Sequence, residues 1–342
     1  MNDKVNPGRL ILLSHGGGGV RTRQLISELI AKHFGNPILN TFDDGAVVRC
    51  DGRDFVFTTD SYVVDPIFFP GGDIGRLAVS GTTNDLVMMG AKPLYLSLAL
   101  ILEEVLKLVE LERVVLSMKR VISEVGVKIV TGDTKVVERG KGHSIFINTS
   151  GIGKKIANIN ASSANARVGD AVIISGTIGD HSAAILAQRR GLKLKTHITS
   201  DVAPLWRMFE PVFKRYGSAI HSLRDPTRGG LAAALCDMAE DSNVGIRIFE
   251  NRIPIKPDVR GLCELTGIEP LTMANEGKAV IICAKEKAPD ILKTLRRTMQ
   301  GKAAASIGEV VDAHRGLVVM ETLIGGERII RMPLGEELPR IC

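Results

Sequence analysis

Apolar positions along the first half of the chain follow two periods. Residues 46–50, 55–59, 94–100 and 145–152 gather β-branched and aromatic side chains between Gly, Asp and Pro, which predicts strands. Between them, apolar residues recur at three-to-four spacing over residues 21–34, 76–89 and 110–125, each with a glycine just beyond, which predicts helices. The alternation of the two patterns predicts an α/β chain.

A polar, small-residue stretch over residues 154–168 interrupts the pattern, and a fresh strand signal follows in "GDAVIISG". Helices are expected at 181–188, 229–241 and 289–299, with strands at 244–249, 279–283 and near 316–321. A length of 342 residues suits two cores rather than one. We therefore expect a first domain over residues 1–155, a second over 156–324, and a tail over 325–342 whose Gly and Pro residues favour an extended arm. Its last dozen residues could span roughly 40 Å at about 3.3 Å per residue.

Composition narrows the class only mildly. Forty-four basic against 38 acidic residues leave a net charge of +6. The basic stretches at 188–195 and 292–302 lack interleaved aromatics, so solvated helix faces are expected and no nucleic acid is implied. The five cysteines (Cys50, Cys236, Cys263, Cys283, Cys342) form no CxxC pair. Four sit in apolar surroundings where a small buried hydrophobe is the usual role, and a reducing compartment follows. No apolar run is long enough for a signal-peptide core or a membrane span, so the expected location is the cytoplasm.

Carboxylates cluster after strand-like runs at Asp43 and Asp44, Asp60, Asp73, Asp85 and Asp133, and again at Asp225 in "LRDPTRGGL". A single such Asp is commonly a turn or cap residue, but the recurrence suits the hard oxygen shell that Mg²⁺ takes alongside polyphosphate. "SHGGGG" places His15, Gly16, Gly17, Gly18 and Gly19 before a predicted helix. Its backbone N–H groups could approach phosphate, and a plain linker fits equally well. No Walker or GxGxxG spacing follows. In "GDHSAAIL", His181 falls in a first helical turn, where capping or packing is expected. Thr134, Lys135 and Glu276, taken alone, are ordinary surface candidates.

The order of "DDGAVV", "TTDSYVVDPIFFPGGDIGRLAV", "NDLVMMGAKP", "GDTKVV", "GDHSAAIL", "RDPTRGGLAAAL", "NEGKAV" and "IGEV" resembles the PurM-like, ATP-using superfamily of aminoimidazole ribonucleotide synthetase, selenophosphate synthetase and thiamine-phosphate kinase. Within it, "SHGGGG" and the closing "PRIC" are similar to the HypE family of hydrogenase-maturation carbamoyl dehydratases. The resemblance implies a two-domain fold that dimerises through its first sheet. It implies ATP-dependent dehydration of an S-carboxamide on Cys342 to an S-cyanide. It also implies loading by a HypF carbamoyltransferase and delivery to a HypC–HypD complex. By the same resemblance Asp44, Asp60, Asp85 and Asp225 hold Mg²⁺, with Asp73, Asn84, Asp133 and Thr134 as further nucleotide-site candidates. Glu276 serves as base, with Lys135 beside it countering the rise that burial gives its pKa. Arg340 favours the Cys342 thiolate, and the neighbouring carboxylate opposes it. Two other readings stay open: a kinase or synthetase of a free small molecule, and a non-enzymatic presenter of Cys342.

Overall fold

The computed structural model describes residues 10–189, 197–335, 338 and 340–342. The chain opens with helical turns at Val20–Leu25 and Ala31–Phe34, joined by a π-helical stretch Ile26–Ile30. Five strands then build a first sheet: β1 (Ala46–Cys50), β2 (Arg53–Tyr62), β5 (Ala91–Glu103), β6 (Lys128–Val137) and β7 (Ile145–Lys155). A two-stranded ribbon of β3 (Phe68–Phe69) and β4 (Gly72–Asp73) leads into the helix Ile74–Met88. Sheet order is β1-β2-β7-β5-β6, with only β5 and β6 parallel.

Period-two alternation explains which face is covered. On β7, Ile145, Ile147, Thr149, Gly151 and Gly153 are buried, and on β2 the same holds for Val56, Thr58 and Tyr62. The helices Ile74–Met88 and Leu108–Val125 pack on that side. On the opposite side Phe57, Ile152 and Tyr95 lie in cross-strand register and are exposed.

The second sheet has seven strands in the order β14-β13-β10-β12-β8-β11-β9. They are β8 (Ala171–Ile174), β9 (Ile220–Arg224), β10 (Gly245–Phe249), β11 (Val280–Cys283), β12 (Ala305–Val311), β13 (Val318–Glu321) and β14 (Glu327–Ile330). The helix Gly230–Asp241 buries Leu231, Leu235 and Met238 against one face. On the other face Trp206–Tyr216 and Ala288–Leu295 join a core that runs without a break into that of the first sheet.

The predicted elements are present, several in the first half with longer ends and most in the second half with shorter ones. The helix Trp206–Tyr216 was not expected because Pro211 breaks its pattern, and β6 because nearly every residue in it is exposed, leaving no alternation to read. The expected arm begins later than residue 325, since Glu327–Ile330 pairs antiparallel with β13 as an edge strand. Cys263 and Cys283 are buried as expected, Cys236 is half-buried and Cys50 is exposed. Most of the 188–195 basic stretch lies outside the described residues. No helix among the described residues is long and apolar enough to cross a membrane.

Asp73 sets the start of the helix Ile74–Met88: its Oδ1 accepts from Gly75 N at 2.8 Å and Arg76 N at 3.0 Å. Asp73→Ala should lower unfolding free energy by about 1 kcal/mol, read from urea denaturation, and Asp73→Ser should recover most of the loss.

Candidate functional site

A cleft of about 1380 Å³ opens where the end of β2, the helix Ile74–Met88, the loop after β9 and the loop before β11 meet. Asp44 precedes β1, Asp60 lies on β2, and Asp85 occupies the last turn of the helix. Asp225 follows β9 directly and Glu276 precedes β11. These five carboxyl groups line the one cleft, and so does Cys342.

Their charges are poorly compensated. Burial pushes the Asp85 pKa well above the usual carboxylate range, and Asp60, Asp225 and Asp44 push it further. Asp225 is raised well above its usual value by burial, then by Asp44 and Asp60, with Arg224 opposing. Asp44 is raised to about 6 by burial, against the pull of Arg224, whose Nε stands 3.7 Å away. Asp60 is also raised by burial, while Arg228 and the Tyr62 hydroxyl at 3.1 Å restrain it. The Thr58 hydroxyl stands 2.9 Å from both the Asp44 carbonyl and Asp85 Oδ2, and its single proton serves one at a time.

Glu276 is 3% exposed, and its Oε1 has no hydrogen-bond partner among the described residues. Burial, then Asp225, Asp201 and Asp60, raise its pKa well above the usual range, and Arg228 counters. Within a single chain, Arg228 thus gives Glu276 the countering charge that was expected of Lys135. Lys135 instead pairs with Asp133 at 2.9 Å on the exposed edge strand β6, and neither they nor Thr134 line the cleft.

Asn84 spends its amide inside the protein, donating to Ala203 O at 3.1 Å and accepting from Leu205 N at 2.8 Å, so it stitches the first sheet's helix to the second unit. Asp73 is occupied as the helix cap. Among the described residues no three His, Cys, Asp or Glu side chains converge closely enough to hold a metal ion alone. The expected four-Asp set therefore shares a cleft without forming a closed shell. Buried carboxylates short of counter-charge suit a hard cation that completes its shell with water or phosphate oxygen.

The glycine run also makes close approaches within the protein. Gly18 has φ +72° and a Cβ there would lie 2.6 Å from Arg228 Cβ; one on Gly19 would lie 2.2 Å from the Pro333 carbonyl. Val20 N donates to Pro333 O at 3.0 Å and Arg21 N to Leu334 O at 3.3 Å. These first-turn donors, one step past the glycines, serve tail carbonyls. Gly18 reaches the cleft wall and Gly17 a small neighbouring hollow under the tail, whereas His15 folds back on Leu12.

The last residues run antiparallel to the segment after β2. Asp65 N donates to Arg340 O at 3.2 Å and Val63 N to Cys342 O at 3.0 Å. Arg340 Nε donates to Val63 O at 2.9 Å, and its guanidinium lies 5.8 Å from the Phe146 ring. Ile341 is buried, 3% exposed. The arm is extended, as expected, but seated. Thr58, Tyr62, Arg224 and Arg228 were not foreseen as site residues; Arg224 and Arg228 flank Asp225 within "LRDPTRGGL", the one signal available for them.

Residues 42–154 match the N-terminal domain, and residues 167–321 the C-terminal domain, of the AIR synthase related proteins. The chain is 48% identical to the carbamoyl dehydratase HypE of Bradyrhizobium diazoefficiens over 330 residues, 96% of this chain and 95% of that one. It superposes with a TM-score of 0.86 on a structure of a HypE–HypF complex, at 47% identity, covering 90% of this chain and 99% of that chain. A HypE structure in complex with ATP matches with a TM-score of 0.82 and 48% identity, covering 97% of this chain and all of the other. With both domain models matched and nearly half of all residues shared from end to end, the chain belongs to the HypE carbamoyl dehydratase family of AIR synthase related proteins.

Proposed function

We propose that this protein is an ATP-dependent carbamoyl dehydratase that converts an S-carboxamide on its own Cys342 into an S-cyanide, the source of the cyanide ligand for NiFe-hydrogenase iron. The observation that carries this reading is that Cys342 lines the same cleft as the five carboxyl groups. An amide oxygen is a poor leaving group. When bound, ATP with Mg²⁺ would supply the phosphoryl group that lets that oxygen depart, with charge on the phosphates neutralised. Asp44, Asp60, Asp85 and Asp225 would hold the cation.

The chain's own groups do the rest. Cys342 tethers the carboxamide carbon through sulfur, and seating of Ile341 against the protein limits water around it. A nitrile forms only if the nitrogen loses both protons, and Glu276 is the base for this. Its raised pKa makes the carboxylate a stronger base than a solvated glutamate, and its unpartnered Oε1 is free to accept. A HypF-type carbamoyltransferase would load the thiol, as the relative's complex with HypF suggests. A HypC–HypD complex would receive the cyanide. Two copies pairing through the exposed Phe57, Ile152 and Tyr95 face would form the homodimer, the arrangement in which Asp133, Thr134 and Lys135 could reach a cleft.

Cys342→Ala should abolish cyanide formation while ATP binding persists, checked by the mass of the C-terminal peptide after carbamoyl loading and by nucleotide titration. Loss of ATP binding in this variant would count against the carrier role. Glu276→Gln should lower kcat by roughly 10²–10⁴-fold. Wild-type activity should rise with pH as Glu276 deprotonates through its raised pKa, and that limb should vanish in the variant.

Asp85 holds its proton to higher pH when folded than when unfolded. Stability should therefore fall as pH rises above about 4, where the unfolded carboxyl ionises. Asp85→Asn should raise the melting temperature at pH 8 and flatten this dependence, and Mg²⁺ with ATP should stabilise the wild type more than the variant.

A further inference from the structure

The reaction uses Cys342, yet nothing in it calls on His181, which lies wholly buried at the start of the helix Asp180–Arg189. We propose that His181 is a positioning residue that seats Cys342 in the cleft by donating its Nε2–H to the carbonyl oxygen of Ile341.

Nε2 lies 2.7 Å from that oxygen, which can only accept. Nδ1 lies 2.7 Å from Ser200 Oγ, and Ser200 Oγ itself accepts from Val202 N at 3.1 Å. With Nε2–H committed to the Ile341 carbonyl, Nδ1 of the neutral ring is the acceptor and takes the Ser200 hydroxyl proton, which supports that tautomer. Burial lowers the pKa of the ring, Asp201 opposes and Arg189 adds to the lowering, so the single-proton form is the one present near neutral pH. Phe69 meets the ring edge-on at 5.4 Å between centroids and restricts its tilt. A donor held this firmly, away from water, is unsatisfied whenever the tail leaves.

The other contacts of the tail do not replace it. Val63 and Asp65 bind the Cys342 and Arg340 carbonyls through backbone N–H groups, and Arg189 also donates to the Arg340 carbonyl. His181 holds the carbonyl of the peptide group directly before Cys342, the group that sets the direction of its Cα–Cβ bond. Beside these hydrogen bonds stand the burial of Ile341, the packing of Leu338 and Cys342 against the core and the Arg340 guanidinium over Phe146. The docking stands by itself; only its consequence for turnover rests on the carrier reading of Cys342.

The test measures docking without ATP or any carbamoyl group. The full chain is treated with iodoacetamide, and modification of Cys342 is followed by the mass of its C-terminal peptide. His181→Ala should speed Cys342 alkylation roughly five- to tenfold, the effect of one lost hydrogen bond. His181→Gln, whose amide can place a donor where Nε2 stands, should return the rate close to that of the wild type. Equal rates in wild type and a folded His181→Ala overturn the proposal, as does a glutamine variant no slower than the alanine one. Should His181→Ala fail to fold, Ser200→Ala decides: loss of the tautomer lock should speed alkylation, and an unchanged rate overturns the proposal. Slower alkylation in wild type with no dehydration of a loaded thiol would retain the docking role and remove the dehydratase reading instead.

Discussion

Five carboxyl groups brought into one cleft, with Arg224 and Arg228 as the cations that oppose their raised pKa values, are the constraint on which the rest of this molecule turns. Like charges drawn together repel, and with burial that repulsion raises the pKa values of Asp85, Asp225 and Glu276. That state is poised rather than settled. A cation or a phosphate-bearing ligand changes the balance more here than at any exposed acidic patch, because solvent screens little of the interaction.

Holding such a cluster requires a rigid frame on both sides. The first sheet and its helix supply Asp60 and Asp85, and the loops flanking β9 and β11 supply Asp225 and Glu276. The two units share one continuous hydrophobic core, and Asn84 ties them with both ends of its amide. The carboxylates are thus positioned by the junction itself, and a shift of one unit against the other would alter their spacing directly.

Much of this was legible in the amino-acid sequence because the relevant signals are local. β1, β2, β5 and β7 carry β-branched runs, and the helices Ile74–Met88 and Leu108–Val125 carry apolar residues at helical spacing, so their periods announce them. The acidic motifs were visible for the same reason. What could not be read is how distant segments meet. Nothing local to Lys135 says that β6 is an exposed edge whose Asp133, Thr134 and Lys135 do not line this chain's own cleft, and nothing local to Gly19 says that its missing Cβ makes room for Pro333. Arg228 supplies the countering charge beside Glu276, although 48 residues separate them (276 − 228). His181 reads as an ordinary first-turn residue until the tail is seen lying across it.

The clasp between Gly19–Arg21 and Pro333–Leu334 has a mechanical consequence for the proposed carrier. While it holds, the leash for the sulfur is measured from Gly335, and the seven residues from there to Cys342 (342 − 335) extend at most about 23 Å. That radius is little more than half the one the bare sequence suggested. An outside enzyme that works on this thiol must therefore come up against the mouth of the cleft, not wait at a distance for the sulfur to arrive.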